Sequence, residues 1–328
     1  MAENDEYICR ESGEADFPAL AEFLIRHDYA PKHLNWSRQD YLDWLRWKYL
    51  ENPDGTARLF IVEDSNGALM GFRASVPRCY TSAGSGTFTA YQGVDVLIDA
   101  GLRKKGLYTK LRQFANPRLG GYRLSFPNRP IFKLSMRFGD RIIGPAYKWW
   151  FPVTMKKPSA QIANRLIASG AEEVLRLYAF LWLGRMRDDV RMKPVTRFER
   201  DMDIAPQFLH GIRSASYLNW RFIDNPMYKY SSYEFFEGDE CIGYCVYAYV
   251  RANAEIYDFV TAKHQRKCFR RLVEHCRADE INRLVFRGVG LQLGKYGFIR
   301  RRDALSNCNA SADIPDGRWI LTLADRDY

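Results

Sequence analysis

Apolar positions along the chain change their period in a regular order. Residues 7–9 read as a short strand, whereas Phe17, Leu20, Phe23 and Leu24 recur at the spacing of one helix face. A second helical stripe, Tyr41, Leu42, Leu45 and Tyr49, follows Ser37, a residue type that caps helix starts, and stops at Asn52-Pro53-Asp54-Gly55. Trp44 and Trp47 on that helix read as core anchors. Three runs rich in β-branched and aromatic residues, 59–63, 69–76 and 87–98, are separated by Ser65-Asn66-Gly67 and Gly84-Ser85-Gly86, which predicts an antiparallel meander. Helical spacing returns at Leu107, Leu111 and Phe114 and ends at Pro117; residues 122–126 then read as a strand closed by Pro127-Asn128-Arg129-Pro130.

From 159 to 188 the apolar residues keep helical intervals, with Gly170 expected to divide the segment into two helices. Beyond it the grammar of the first half repeats. Tyr41-Leu42-Asp43-Trp44 ahead of Asn52-Pro53 is echoed by Tyr217-Leu218-Asn219-Trp220 ahead of Asn225-Pro226. Strand-like runs at 230–236, 241–250 and 255–260 follow, then a helix at 265–277, a strand at 283–286 and a short helix ending in Gly297-Phe298. The pattern predicts an α+β fold of two tandem domains, 1–157 and 193–328, joined by a helical connector, 158–192. Each is expected to be a mixed, mostly antiparallel sheet flanked by helices.

Composition agrees with two packed cores. The 328 residues exceed the size at which one hydrophobic core stops growing, and 47% apolar with 27% charged residues excludes a disordered or fibrous chain. No apolar run reaches the roughly 18–20 residues of a membrane span. Residues 1–14 are acidic and lack the basic start and apolar stretch of a signal peptide, and the seven cysteines form an odd, scattered set that suits reduced thiols; a cytoplasmic protein is expected. The net charge of +10, from 49 Lys and Arg against 39 Asp and Glu, favours anionic partners.

The segment richest in chemistry runs from Val94 to Leu111. An apolar strand enters a loop containing Arg103-Lys104-Lys105-Gly106, and the loop opens a helix. A helix N-terminus offers unpaired amide N–H groups and about half a positive charge, the cations add to that field, and glycine lets a backbone approach an anion closely. Strand, Arg103-x-x-Gly106 and helix together resemble the acyl-CoA loop of the GNAT superfamily of N-acetyltransferases. Tyr108 stands where that family has a small residue, and Ala100 where it has proline. The order of elements across residues 6–128, Phe126-Pro127-Asn128 after the fifth strand, and Gly297-Phe298 near the end are also similar to the family.

The resemblance implies acetyl-CoA as cosubstrate, held by Val96, Leu97, Ile98, Arg103, Lys104, Lys105, Gly106, Leu107, Tyr108 and Asn128. Acetyl would pass to an amine, expected to belong to an anionic acceptor such as a sugar nucleotide or cell-envelope precursor. Asp95 and Tyr91, four residues apart and expected on one strand face, are the candidates for base and for acid or positioning group. The stretch 131–139, which resembles the helix bearing the family's tyrosine, has no tyrosine; Tyr108, Tyr122 and Tyr147 are loose substitutes. The second copy, from Asp258 to Lys267, has no glycine between strand and helix, so it is expected to be degenerate, shaping the acceptor cleft or supporting the first half.

Other motifs carry less. His264, Cys268 and His275 share helical spacing but lack a complete ligand set, so no metal is expected. Cys241 and Cys245 are expected on one strand face as core residues, and Arg300-Arg301-Arg302 as a solvated edge after a helix. No Gly-x-Ser-x-Gly elbow or Walker loop occurs. Two rival readings are a tandem-domain aminoacyl transferase using charged tRNA, with nucleic acid the less favoured partner, and a CoA-binding module without turnover.

Overall fold

The computed structural model describes residues 6–30, 34–82, 86–103, 105–155, 165–185, 189–202 and 207–326. In the first half β1 (Tyr7–Ser12) leads to α1 (Phe17–Arg26) and α2 (Arg38–Tyr49), and then to the meander β2 (Arg58–Asp64), β3 (Leu69–Ser82) and β4 (Gly86–Ile98). Ser37 caps α2 as expected: its hydroxyl accepts from the Asp40 N–H, and the Asp40 carboxylate accepts from the Ser37 N–H. After α3 (Leu107–Ala115) come β5 (Tyr122–Ser125), α4 (Arg129–Arg137) and β6 (Arg141–Pro152). β2 shows how the sheet is covered: Leu59 and Ile61 face α1 and α2, whereas Phe60 and Val62 face α3.

α5 (Arg165–Leu183) runs unbroken through Gly170, because that glycine lies in an exposed turn where its intrinsic penalty of about 1 kcal/mol is small beside the buried contacts of Ala179 and Leu183. The parts of the expected connector at 158–164 and 186–188 lie outside the described residues. Then follow β7 (Val190–Pro194), β8 (His210–Gly211) and α6 (Ala215–Leu218), the last continuing into a π-helical turn at Asn219–Ile223. A second meander, β9 (Ser231–Glu237), β10 (Glu240–Val250) and β11 (Asn253–Thr261), precedes α7 (Gln265–Ala278), β12 (Arg283–Gly288) and β13 (Ile299–Ala310).

The two halves share one sheet, in the order β1-β2-β3-β4-β5-β13-β6-β12-β11-β10-β9-β7, with β8 on β3. Its centre is an exchange. β5 of the first half pairs with β13 of the second, β12 of the second pairs with β6 of the first, and β6 and β13 pair with each other. The arginine run expected at a solvated edge is exposed at Arg300 and Arg301 but lies on a strand inside the sheet, Arg300 opposite Trp149 and Arg301 opposite Lys148, with the Arg300 guanidinium over the Tyr147 and Trp149 rings.

Buried charges tie the halves further. Arg213, fully buried, donates to Asp258 at 2.5 Å and to both oxygens of Asp325 at 2.6 Å, and Arg78 reaches Asp54 at 2.6 Å and Asp325 at 3.6 Å. Cys241 and Cys245 lie on opposite faces, not one, because a bulge at Gly243 shifts the register of β10 between them.

Candidate functional site

β4 and β5 run parallel and pair only at Ala90–Tyr122, Tyr91–Arg123 and Gln92–Leu124. Beyond Gln92 and Leu124 they part, and two concavities open in the gap. One, about 320 Å³, is lined by Val94, Asp95, Val96, Pro127, Asn128 and Arg326. The other, about 60 Å³, lies toward α3 and contains Tyr91, Gly93 and Tyr108. Arg326 comes from the second half, and Gln92 Nε2 donates to the Asp325 carbonyl at 2.8 Å, so the C-terminal segment walls the first half's cleft.

The loop beyond β4 ends in a left-handed turn. Gly106 has φ +82° and is the N-cap of α3, a conformation that a side chain disfavours. No side chain caps α3, so the first-turn amides have no intrahelical acceptor and face outward. Arg103 is exposed and its Nε donates to the Ile98 carbonyl at 3.3 Å; Lys105 is exposed, and its N–H closes a turn on Leu102. Lys104 lies outside the described residues. Val96 lines both concavities, Tyr108 the smaller one and Asn128 the larger, where Asn128 also caps α4 by accepting from the Ile131 N–H. The side chains of Leu97, Ile98 and Leu107 instead pack into the cores beside the sheet.

Asp95 and Tyr91 do not share a face. A bulge sets Asp95 and Val96 against the single residue Arg73, with Asp95 at φ +44°, and so reverses the alternation between them. Tyr91 faces α3. The Asp95 side chain, 6% exposed, turns the other way, to Lys48 of α2 at 2.5 Å, Lys48 being 2% exposed. The Tyr49 hydroxyl donates to the same carboxylate at 2.7 Å and the Tyr29 hydroxyl to its other oxygen. It is the backbone of Asp95, bulged out of the ladder, that faces the larger concavity.

Sequence reasoning missed Lys48, although a signal was present: it extends the buried stripe Tyr41, Leu45 at i+7, where a lysine needs a counter-ion. It also missed Arg73, Arg112 and Arg123, scattered over β3, α3 and β5, which only the tertiary fold brings to the smaller concavity. Arg112 donates to Ser135 at 2.9 Å and to Asp140 at 2.6 Å, and Arg123 approaches Asp140 at 3.5 Å. Burial pulls the Arg73 pKa down to about 10, with Arg112 and Arg123 adding to the fall. Among the described residues no group of three or more His, Cys, Asp or Glu side chains is placed to hold a metal, and no helix is long and apolar enough to cross a membrane.

No family model matches the sequence, and no curated protein matches it. Solved structures do. A conserved protein of unknown function from Enterococcus faecalis V583 superposes with a TM-score of 0.61 at 10% identity, over 93% of this chain and 71% of its own. A GCN5-related N-acetyltransferase from Kribbella flavida gives 0.55 at 9% identity, over 93% and 71%. A tandem GNAT protein from the clavulanic acid biosynthesis pathway gives 0.52 at 10% identity, over 95% of this chain and 100% of its own. With two β-α-β units joined in one sheet and the strands parted beyond each parallel pairing, the chain has the GCN5-related N-acetyltransferase fold in its tandem arrangement.

Proposed function

We propose that the protein is an acyl-CoA-dependent N-acyltransferase whose first half holds the thioester. The observation that carries this reading is the parting of β4 and β5 beside a left-handed glycine cap at the start of α3. Phosphates would meet the α3 amides with Arg103 and Lys105, and the thiol arm would enter the gap past Val96. In the reaction the acceptor amine forms a C–N bond to the acyl carbon, the C–S bond breaks, and the sulfur leaves as CoA thiol while the amine gives up a proton. Asp95, held by Lys48, Tyr29 and Tyr49, is better placed to fix the bulge than to take that proton. Tyr91 and Tyr108, whose side chains border the gap, are the proposed acid or positioning groups.

The expected donor is acetyl-CoA, and the expected acceptor an amine on an anionic molecule such as a sugar nucleotide or envelope precursor. Arg326 at the mouth of the larger concavity supports that acceptor charge, and the second half supports the site by supplying it. Calorimetry with CoA and acetyl-CoA tests the reading: binding that is lost in Gly106→Val supports it, and no binding of either by the parent protein refutes it.

A further inference from the structure

The smaller concavity between β4 and β5 carries more positive than negative charge among the described residues. Arg73, 6% exposed, has one hydrogen-bond partner, Asn116 Oδ1 at 3.0 Å, and meets no carboxylate among the described residues within ion-pair distance. Three guanidiniums, from Arg73, Arg112 and Arg123, line the space, against the single carboxylate of Asp140. Asp140 is already engaged by Arg112 and Arg123. Asn309, fully buried on the same wall, has neither its amide N–H nor its carbonyl bonded. A buried cation without a counter-ion within ion-pair distance costs stability, and an anionic group beside Arg73 would offset that cost.

Size narrows the occupant. About 60 Å³ is several times the roughly 10–15 Å³ that one water needs, room for a small anionic group such as a carboxylate with its methylene. A carboxylate also offers two coplanar oxygens to a guanidinium fork. Gly93 keeps the approach open, since a Cβ there would stand 3.6 Å from Arg73 Nη2. The space lies where the strands begin to part, deeper along the gap than Val96 when entered from Gly106, so the part of a threaded thioester that reaches it is the acyl chain.

We infer that this slot selects acyl-CoA donors whose acyl chain ends in a carboxylate, with Arg73 as its recognition group. The inference rests on the acyl-CoA reading above. Its test is calorimetry with succinyl-CoA, acetyl-CoA and free succinate on the parent protein, Arg73→Met and Gly93→Ala. The expected result is succinyl-CoA bound at least tenfold more tightly than acetyl-CoA by the parent, with that preference lost in Arg73→Met and reduced in Gly93→Ala.

The melting temperature without ligand separates recognition from scaffold. Arg73→Met should melt no lower than the parent, because the guanidinium it removes has no counter-ion, and a large fall would overturn the assignment. Gly93→Ala, which keeps the charge and adds a methyl at ordinary contact distance, tests the slot in a variant whose folding does not depend on removing Arg73. Equal affinity of the parent for both thioesters would overturn the inference while leaving the acyl-CoA reading intact. Binding of free succinate with no thioester bound would overturn both, moving the carboxylate to the acceptor.

Discussion

The indoles of Trp47 and Trp220 stack across the junction of the two halves and exchange hydrogen bonds. Trp47 Nε1 donates to the Trp220 carbonyl at 3.0 Å and Trp220 Nε1 to the Trp47 carbonyl at 2.8 Å, with ring centroids 5.0 Å apart. A contact in which each residue does to the other what is done to it belongs to a local two-fold relation, and it pairs equivalent positions. Counted back from Asn52-Pro53 and Asn225-Pro226, Trp47 and Trp220 stand at the same distance, so Trp220 corresponds to Trp47 and not to Trp44.

Trp220 packs against the α1–α2 core and the α6 core together, so truncation of either indole should act on both halves. Trp47→Ala and Trp220→Ala are each expected to cost about 3–5 kcal/mol. The double variant should cost clearly less than the sum, since the second change removes a partner already lost. Urea unfolding of the four proteins measures this, and strict additivity would show that the pair is not coupled.

Asp95 and Lys48 are buried together, and removal of one takes a buried counter-ion from the other. Asp95→Asn and Lys48→Met should each destabilise by about 3–5 kcal/mol, with much of the loss recovered in the double variant. Activity should follow the folded fraction. If Asp95→Asn instead keeps the parent's melting temperature and loses turnover by about 10²-fold or more, Asp95 is the base and its positioning role is wrong.

The elements read from hydrophobic period alone match closely: α1, α2, the meander β2–β4, α3, β5 and the whole run β9–α7–β12 fall where 3.6-residue or alternating spacing places them. β6 and β13 escaped, because strands at the centre of an exchanged sheet mix arginine, lysine and aromatic residues and show no clean alternation. The turn from Arg103 to Gly106 that opens α3 was legible as a local motif. The bulge at Asp95 was not, since a one-residue insertion changes which face a side chain occupies without changing composition, and the same limit applied to Cys241 and Cys245. The Arg73 cluster is assembled from β3, α3 and β5, a convergence with no local spacing to reveal it.

Acid should loosen the junction between the halves. Burial alone would raise the carboxyl of Asp325, but Arg213 and then Arg78 beside it hold it below its ordinary value of 3.8. A depressed carboxyl pKa gives stability that is complete above the unfolded value and is lost as pH falls through the folded one. Melting temperature should therefore drop as pH is lowered below about 4. Asp325→Asn should be less stable than the parent at neutral pH and should show a shallower acid dependence; a parallel dependence in both proteins would remove Asp325 as the cause.

If the protein binds CoA as proposed, the two helix caps set how many molecules one chain takes. His264 stands at φ +55° before α7 as Gly106 stands at φ +82° before α3, so the second loop keeps the backbone turn although it has no glycine. What differs is charge. Lys263 pairs with Glu237 at 3.0 Å and Glu240 at 2.7 Å, His264 lies 3.2 Å from Glu237, and Lys267 pairs with Asp189 at 2.6 Å. A phosphate arriving there meets carboxylates that already hold Lys263, His264 and Lys267, together with a Cβ that Gly106 lacks. In the first loop Arg103 and Lys105 are exposed and neither meets a carboxylate among the described residues. Beneath the second loop the gap beyond β11 and β12, about 340 Å³, is lined mostly by apolar groups such as Phe259, Phe269 and Leu293, which offers room for an acyl chain but no anchor for its phosphates. Calorimetric titration with CoA should therefore give one site per chain, abolished by Gly106→Val. A ratio of two in the parent, or one that survives Gly106→Val, would move the donor site to the second half.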